Sequence, residues 1–316
     1  MIPPFTRSDR AIANAAARTH VGTYNGASAD VGGVAFREPD VWIAGAVAVS
    51  RSEATGGHVT SDRERMYYPR ILPLGDCAWT VEFDDRIDLE VNVRVMALAD
   101  SLAQACRAAD RAVLKGVVDI VPAFRSLTVH FDPLMTDAAE LERCLEGFAG
   151  AARGVARAGR CWRLPVCFEE ELAPDLGRVA DTTGLSAGAV RSLMTSTRFR
   201  VYMIGFMPGF PYMGGLPEAL EMPRLASPRK RVPARSLAIA GAMCAVYPSE
   251  SPGGWNLIGR LPLPLFASRA EPPALLAAGD LVEWQAIDRA CFRELEQRSR
   301  IGALDPSSFL VRDAAS

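Results

Sequence analysis

Residues 199–266 read FRVYMIGFMPGFPYMGGLPEALEMPRLASPRKRVPARSLAIAGAMCAVYPSESPGGWNLIGRLPLPLF. Pro removes a backbone donor and Gly costs conformational entropy in a helix interior, so a stretch this rich in both excludes long helices. Short strands joined by shaped loops fit it. Strand-like runs fall at Arg200 to Phe206, Ser236 to Ala240, Ala242 to Tyr247, Trp255 to Arg260 and Asp280 to Ala286, with turn signals between them. Several short strands at close spacing indicate a barrel or sandwich.

Upstream the pattern changes. Arg70 to Leu74 and Cys77 to Phe83 read as strands around the turn Gly75-Asp76. Asp88 is an N-cap for a helix whose apolar positions Val91, Val95, Leu98, Leu102 and Ala105 recur at three and four. Gly116 to Val121 and Leu127 to Phe131 form a second strand pair, Asp137 caps a second helix, and Trp162 to Phe168 is a further strand. The order β-β-α-β-β-α-β suits an α+β domain with helices on one face of a small sheet. The expected organisation is therefore an α+β N-terminal domain over 66–170 and a β-rich domain over 171–290, led by two short helices. Pro174 sits in the first helical turn of one and Ser186 caps the other. In the tail, 291–316, the helix Asp288 to Arg300 ends and Pro306 onward frays. Residues 1–65 lack a sustained apolar period and read as a disordered arm, with Met66 as the native start.

Composition narrows the function classes. The 316 residues carry 49% hydrophobic and 23% charged side chains with a net charge of -2, ordinary for a globular protein and unlike a general nucleic-acid or membrane-surface binder. No run approaches the ~18 apolar residues of a membrane helix, and no secretory signal follows Met1, so a cytoplasmic protein is expected. The seven cysteines are dispersed and never spaced C-x-x-C; they read as free thiols of a reducing compartment. His20, His58 and His130 are the three histidines. With none in the second half, that half carries neither a Ser-His or Cys-His pair nor a His-rich metal site, and no metal is expected.

Three segments could carry chemistry. In Gly205 to Leu216, prolines and glycines stiffen a loop with aromatic walls at Phe206, Phe210 and Tyr212 around Pro208. It either closes one end of a barrel or walls a groove. The basic run Arg224, Arg229, Lys230, Arg231 and Arg235 holds no acidic residue; it is either a solvated face or an anion contact. In Tyr247 to Arg260, Pro252-Gly253 suits a type II turn surrounded by Glu250, Ser251, Asn256 and Arg260. There Glu250 either acts as a general base, if burial raises its pKa, or pairs with Arg260. No G-x-x-x-x-G-K-[ST] cradle for phosphate occurs.

Together YPRILPLGDCAWTVEF, GVVDIVPAFRSLTVHFDP, VYMIGFMPGFPYMGGL, PRLASPRKRVPARS and YPSESPGGWNLIGR resemble the 5-oxoprolinase B-subunit family, also called allophanate hydrolase subunit 1 or the kinase-A-inhibitor family. The resemblance runs from about Tyr67 to Ala286 and corresponds to the carboxyltransferase subdomain C/D type. It implies a cyclophilin-like barrel after the α+β domain, and a non-autonomous subunit of an ATP-dependent lactam hydrolase that opens 5-oxo-L-proline to L-glutamate. The implied partners are a C-type companion subunit and an A-type lactam-binding subunit, with ATP bound with or by them. Glu250 and Arg260 would be the catalytic residues, and Phe206, Pro208, Phe210, Tyr212, Arg229, Ser251, Trp255 and Asn256 would contact substrate or partner. The alternatives are a regulator of a histidine kinase and the carboxyltransferase component of a biotin enzyme resembling urea carboxylase. The chain departs from the family at Arg235, where members read Gly within VPAGS, at Gly241 to Pro248, where they read GGQTGIYP, at Thr182 and Met194 in place of two histidines, and at Leu261 within RTP.

Overall fold

Strand β1 (Arg70–Pro73) turns through Gly75, at φ +66°, into β2 (Ala78–Glu82). The computed structural model describes residues 69–108, 111–152 and 159–311; the expectations for residues 1–65 and for Met66 lie outside them. Helix α1 (Leu89–Ala108) starts where the Asp88 carboxylate accepts from the amides of Glu90 and Val91. Its stripe Val91, Val95, Leu98, Leu102 and Ala105 is buried. Strands β3 (Val117–Pro122) and β4 (Ser126–Phe131) follow, then α2 (Ala138–Ala151), which Asp137 caps through the Glu140 amide. The four strands are antiparallel in the order β1-β2-β4-β3. Leu127, Val129 and Phe131 alternate inward from β4 and pack with the stripes of both helices in one core.

The remaining strands are β5 (Cys161–Cys167), β6 (Arg198–Ile204), β7 (Pro211–Gly214), β8 (Arg229–Val232), β9 (Ser236–Ala240), β10 (Met243–Val246), β11 (Ser251–Gly253), β12 (Asn256–Arg260) and β13 (Leu281–Ile287). Helices α3 (Leu176–Thr183) and α4 (Ala187–Ser196) precede β6, and α5 (Arg289–Arg300) follows β13. Seven of the strands close a barrel in the order β10-β7-β6-β13-β5-β12-β9, while β8 and β11 form a separate pair. The strand expected at Trp162 to Phe168, read as the last of the N-terminal domain, thus belongs to the barrel as β5. It pairs in parallel with β13 from Leu281↔Cys161 to Ile287↔Cys167. Its nearly continuous burial suits a strand covered on both faces, and nothing local in it names a partner so distant in sequence. The expected fraying after Pro306 is also corrected. A short 3-10 turn at Pro306–Phe309 leads to Leu310, which bridges to Trp162, and the Val311 amide donates to the Cys161 carbonyl.

Two polar groups position these parts. Asp280, 3% exposed, accepts from the Arg160 amide and guanidinium, with the shortest contact at 2.7 Å, from the Trp162 indole at 3.0 Å and from the Ala277 amide at 3.0 Å. It fastens the start of β13 to the start of β5. Gly159 lies against it so closely that a Cβ there would stand 2.1 Å from the Gly279 carbonyl oxygen. Asn92 on α1, fully buried, joins the smaller core to the barrel. Its Nδ2 donates to the carbonyls of Ala123 and Phe124 in the β3–β4 turn and to that of Tyr202 on β6, at 3.2, 3.3 and 3.3 Å.

On the barrel's outer side Glu283 of β13 takes Arg198 of β6 and Arg163 of β5, at 2.7 and 2.9 Å. Those contacts, from Arg198 first and then Arg163, hold its carboxyl below the usual carboxylate range. A depressed folded pKa adds stability above the unfolded value and loses it as pH falls through the folded one. Glu283→Gln should therefore lower stability at pH 7 and flatten the acid limb of a stability-versus-pH curve. Asp280→Ala, which strands the Arg160 and Trp162 donors, should cost on the order of 3 kcal/mol in urea denaturation.

Candidate functional site on the outer face of the barrel

Alternation along four neighbouring strands separates two apolar layers. Met213, Leu237, Ile239, Cys244, Val246 and Ile258 fill the barrel. Their neighbours Tyr212, Ala238, Ala240, Ala245, Tyr247 and Leu257 form a second cluster with Phe210, Val232 and Trp255. The small side chains Ala238, Ala240 and Ala245 leave room for large rings on that side. Phe210 stands at its centre, with ring centroids 4.7 Å from Tyr212, 5.2 Å from Tyr247 and 6.4 Å from Trp255. The pair β8 and β11 covers the layer. At Gly253 of β11 any Cβ would meet the Tyr247 hydroxyl at 2.3 Å.

This layer determines what the expected site residues do. Phe210 and Trp255 are 2% and 4% exposed and serve as core, not as groove walls open to solvent. Tyr212 is half-buried and touches Phe124 from the β3–β4 turn, at 5.4 Å between centroids. Phe206 is 58% exposed at φ +68°, and Pro208 beside it is exposed. Asn256 is fully buried and ties Pro223 to β9, donating to the carbonyls of Pro223 and Ile239. Among the described residues the Ser251 hydroxyl reaches only the Pro252 carbonyl, at 3.2 Å. The expected turn at Pro252-Gly253 is instead the strand β11.

Of the basic run, Arg229, Lys230 and Arg231 lie on the strand β8, which a helix- or strand-period search misses because it carries three charges in four residues, while Arg224 and Arg235 flank it. Arg229 donates to Asp175 at 2.7 Å, and the other oxygen of Asp175 accepts from the Leu257 amide, also at 2.7 Å. Arg231 pairs with Glu250 at 2.9 Å. Glu250 is thus exposed, has Arg231 as its partner rather than Arg260, and is held below the usual carboxylate range by that contact. The condition for its acting as a base, a pKa raised by burial, is absent. Arg260 instead donates to the Ala234 carbonyl, next to Arg235. The structure does not bring Glu250 and Arg260 together.

What remains accessible is a shelf formed by Phe206, Pro208 and the edge of Tyr212. Arg224 stands beside it, its guanidinium carbon 5.9 Å from the Trp255 ring centroid. Burial pushes the Tyr212 and Tyr247 hydroxyls above the ordinary phenol value, with Arg224 opposing, so both stay neutral donors near pH 7. Among the described residues the Ser249 hydroxyl donates only to the Met207 sulfur, at 3.5 Å. The shelf can hold a flat or apolar group beside a cation; among the described residues it pairs no nucleophile with a base. Sequence reasoning missed Asp175, Phe124 and the stacking of Arg224 on Trp255, and only the fold brings them here.

The small α+β unit and all of the closed barrel except β13 fall within residues 69–276, which match the family described as carboxyltransferase domain, subdomain C and D. The chain is 35% identical over 244 residues to the 5-oxoprolinase B subunit of Bacillus subtilis, a match covering 73% of this chain and 98% of that protein. It belongs to the 5-oxoprolinase B-subunit family. The crystal structure of TTHA0988 is 35% identical with a TM-score of 0.58, over 67% of this chain and 40% of that one, so the chain spans about two fifths of that longer polypeptide. Urea carboxylase of Kluyveromyces lactis, 18% identical with a TM-score of 0.61 over 74% of this chain and 23% of that one, shares the fold alone.

Arg235 stands at φ +68°, in the left-handed region that favours Gly. A side chain there is strained whatever its identity beyond Cβ, by about 1 kcal/mol. Arg235→Ala and Arg235→Gly lose the same polar contacts, so the Gly variant should be the more stable by about 1 kcal/mol, read as a difference in urea midpoint at constant m.

Proposed function

We propose that this chain is the B-type subunit of an ATP-dependent 5-oxoprolinase, opening 5-oxo-L-proline to L-glutamate with a C-type companion and an A-type lactam-binding subunit. The observation that carries this reading is the match to the Bacillus subtilis 5-oxoprolinase B subunit across nearly the whole of that relative. The site supports a shared rather than a self-sufficient centre. Its accessible shelf offers rings and a cation but, among the described residues, no nucleophile–base pair, so in this reading the groups that attack or protonate come from a partner chain. In this reading the barrel is of the cyclophilin-like kind, and Phe206, Pro208, Tyr212 and Arg224 form the working face. ATP is bound with or by the partners, in keeping with the missing G-x-x-x-x-G-K-[ST] motif. The seven free thiols agree with a cytoplasmic setting.

The test mixes the chain with its companion and lactam-binding subunits, ATP and 5-oxoproline, and measures glutamate release. Release should require this chain. It should fall about tenfold or more in a Phe206→Ser, Arg224→Ala double variant, the equivalent of losing one good contact, and stay within about twofold in Glu250→Gln. Full glutamate release in the absence of the chain would exclude the assignment.

A further inference from the structure

Three arginines from separate segments meet beside α5, away from the aromatic layer. Arg260 is the last residue of β12, whereas Trp255 directly precedes that strand. Its Nε donates to the Ala234 carbonyl at 3.0 Å, and its two terminal nitrogens have no partner among the described residues. Arg235 donates from Nη1 to the Pro262 carbonyl at 2.9 Å and from Nη2 to Glu296 at 2.6 Å. Glu296 lies on α5 about two turns beyond Arg289, hence on the same face. Arg289 reaches Glu171 with Nη2 at 2.9 Å, and its guanidinium carbon stands 5.8 Å from the Phe292 ring centroid, while its Nε and Nη1 are buried without a hydrogen-bond partner.

The nearby carboxylates do not satisfy those donors. Glu169 accepts the Arg289 backbone amide at 2.9 Å, Asp288 caps α5 through the Cys291 amide, and Glu171 is largely exposed. Burial, then Arg235, and then Arg289 disfavour the charged form of Arg260, with Glu296 opposing, so Arg260 senses the other three. Buried polar groups in native proteins are almost always hydrogen-bonded, and an exception calls for a reason. Arginine's planar fork matches carboxylate and phosphate oxygens. Arg235 also adopts a left-handed backbone that favours Gly, a strain that persists where a side chain has work to do.

We propose that Arg235, Arg260 and Arg289 form a binding site for a small oxyanion, phosphate or carboxylate, with Glu296 as an internal competitor for Arg235. The site stands independently of the subunit assignment. The sign of one substitution separates it from a merely structural ion cluster: removing the competitor strengthens anion binding, whereas a structural cluster leaves it unchanged or weakens it.

Calorimetric titration of the full-length chain at low ionic strength, with inorganic phosphate in one arm and glutarate in the other, reads this directly. At least one anion should bind. Arg260→Gln should weaken it about tenfold, Arg260→Lys less, and Glu296→Gln should strengthen it about threefold or more, with circular dichroism confirming that each variant is folded. Response of one arm alone identifies the oxyanion and supports the site. If Arg260→Gln fails to fold, Glu296→Gln decides. No binding of either anion, or affinity that does not rise in Glu296→Gln, overturns the proposal.

Discussion

The carboxylate of Asp280 sits where the first and last strands of the barrel meet, and donors from Arg160, Trp162 and Ala277 converge on it. Much else is arranged by that junction. With β13 set in parallel against β5, its other edge receives β6, and its end launches α5 directly from Asp288. The position of α5 in turn brings Glu296 to Arg235. A buried carboxylate is a costly group unless its lone pairs are filled. Here they are filled by the two segments that must be joined, so satisfying the charge and closing the barrel are one event.

Closure creates two surfaces with different tasks. The inward residues make the stable interior, while the outward ones make a second apolar layer that would be exposed without the β8–β11 cover. Alanines at 238, 240 and 245 make the arrangement possible, since larger side chains would displace Phe210 and Tyr247. The layer presses Tyr212 outward to meet Phe124, and Asn92 secures the turn that carries Phe124. The accessible shelf is thus held by contacts from both cores, as a preorganised site requires.

What the sequence disclosed follows from how far each interaction reaches along the chain. The caps at Asp88, Asp137 and Ser186, and the stripe from Val91 to Ala105, are local patterns, and the structure has them as read. Strands β9, β10, β12 and β13 were legible for the same reason, to within a residue or two. Strand β7 hid among prolines and glycines, and β8 among charges. The partner of β5 was beyond local reading altogether. Around the aromatic layer the wiring of the segments was not legible: Glu250 took Arg231 across the β8–β11 pair, Arg229 took Asp175, and Asn256 and Trp255 went to structure. Pairings of that sort depend on register between strands, which single side chains do not announce.

The parallel pairing of β5 with β13 also bears on the order in which the protein is made. A ribosome adds about 5–20 residues per second, so on the order of ten seconds pass between the emergence of Cys167 and that of Leu281. Throughout that interval β5 has an unpaired, strongly apolar edge, while the smaller core upstream already has all its own strands and can fold. The nascent chain therefore carries a finished head and an open barrel precursor, and its time of greatest exposure to aggregation or to chaperones ends only when β13 arrives.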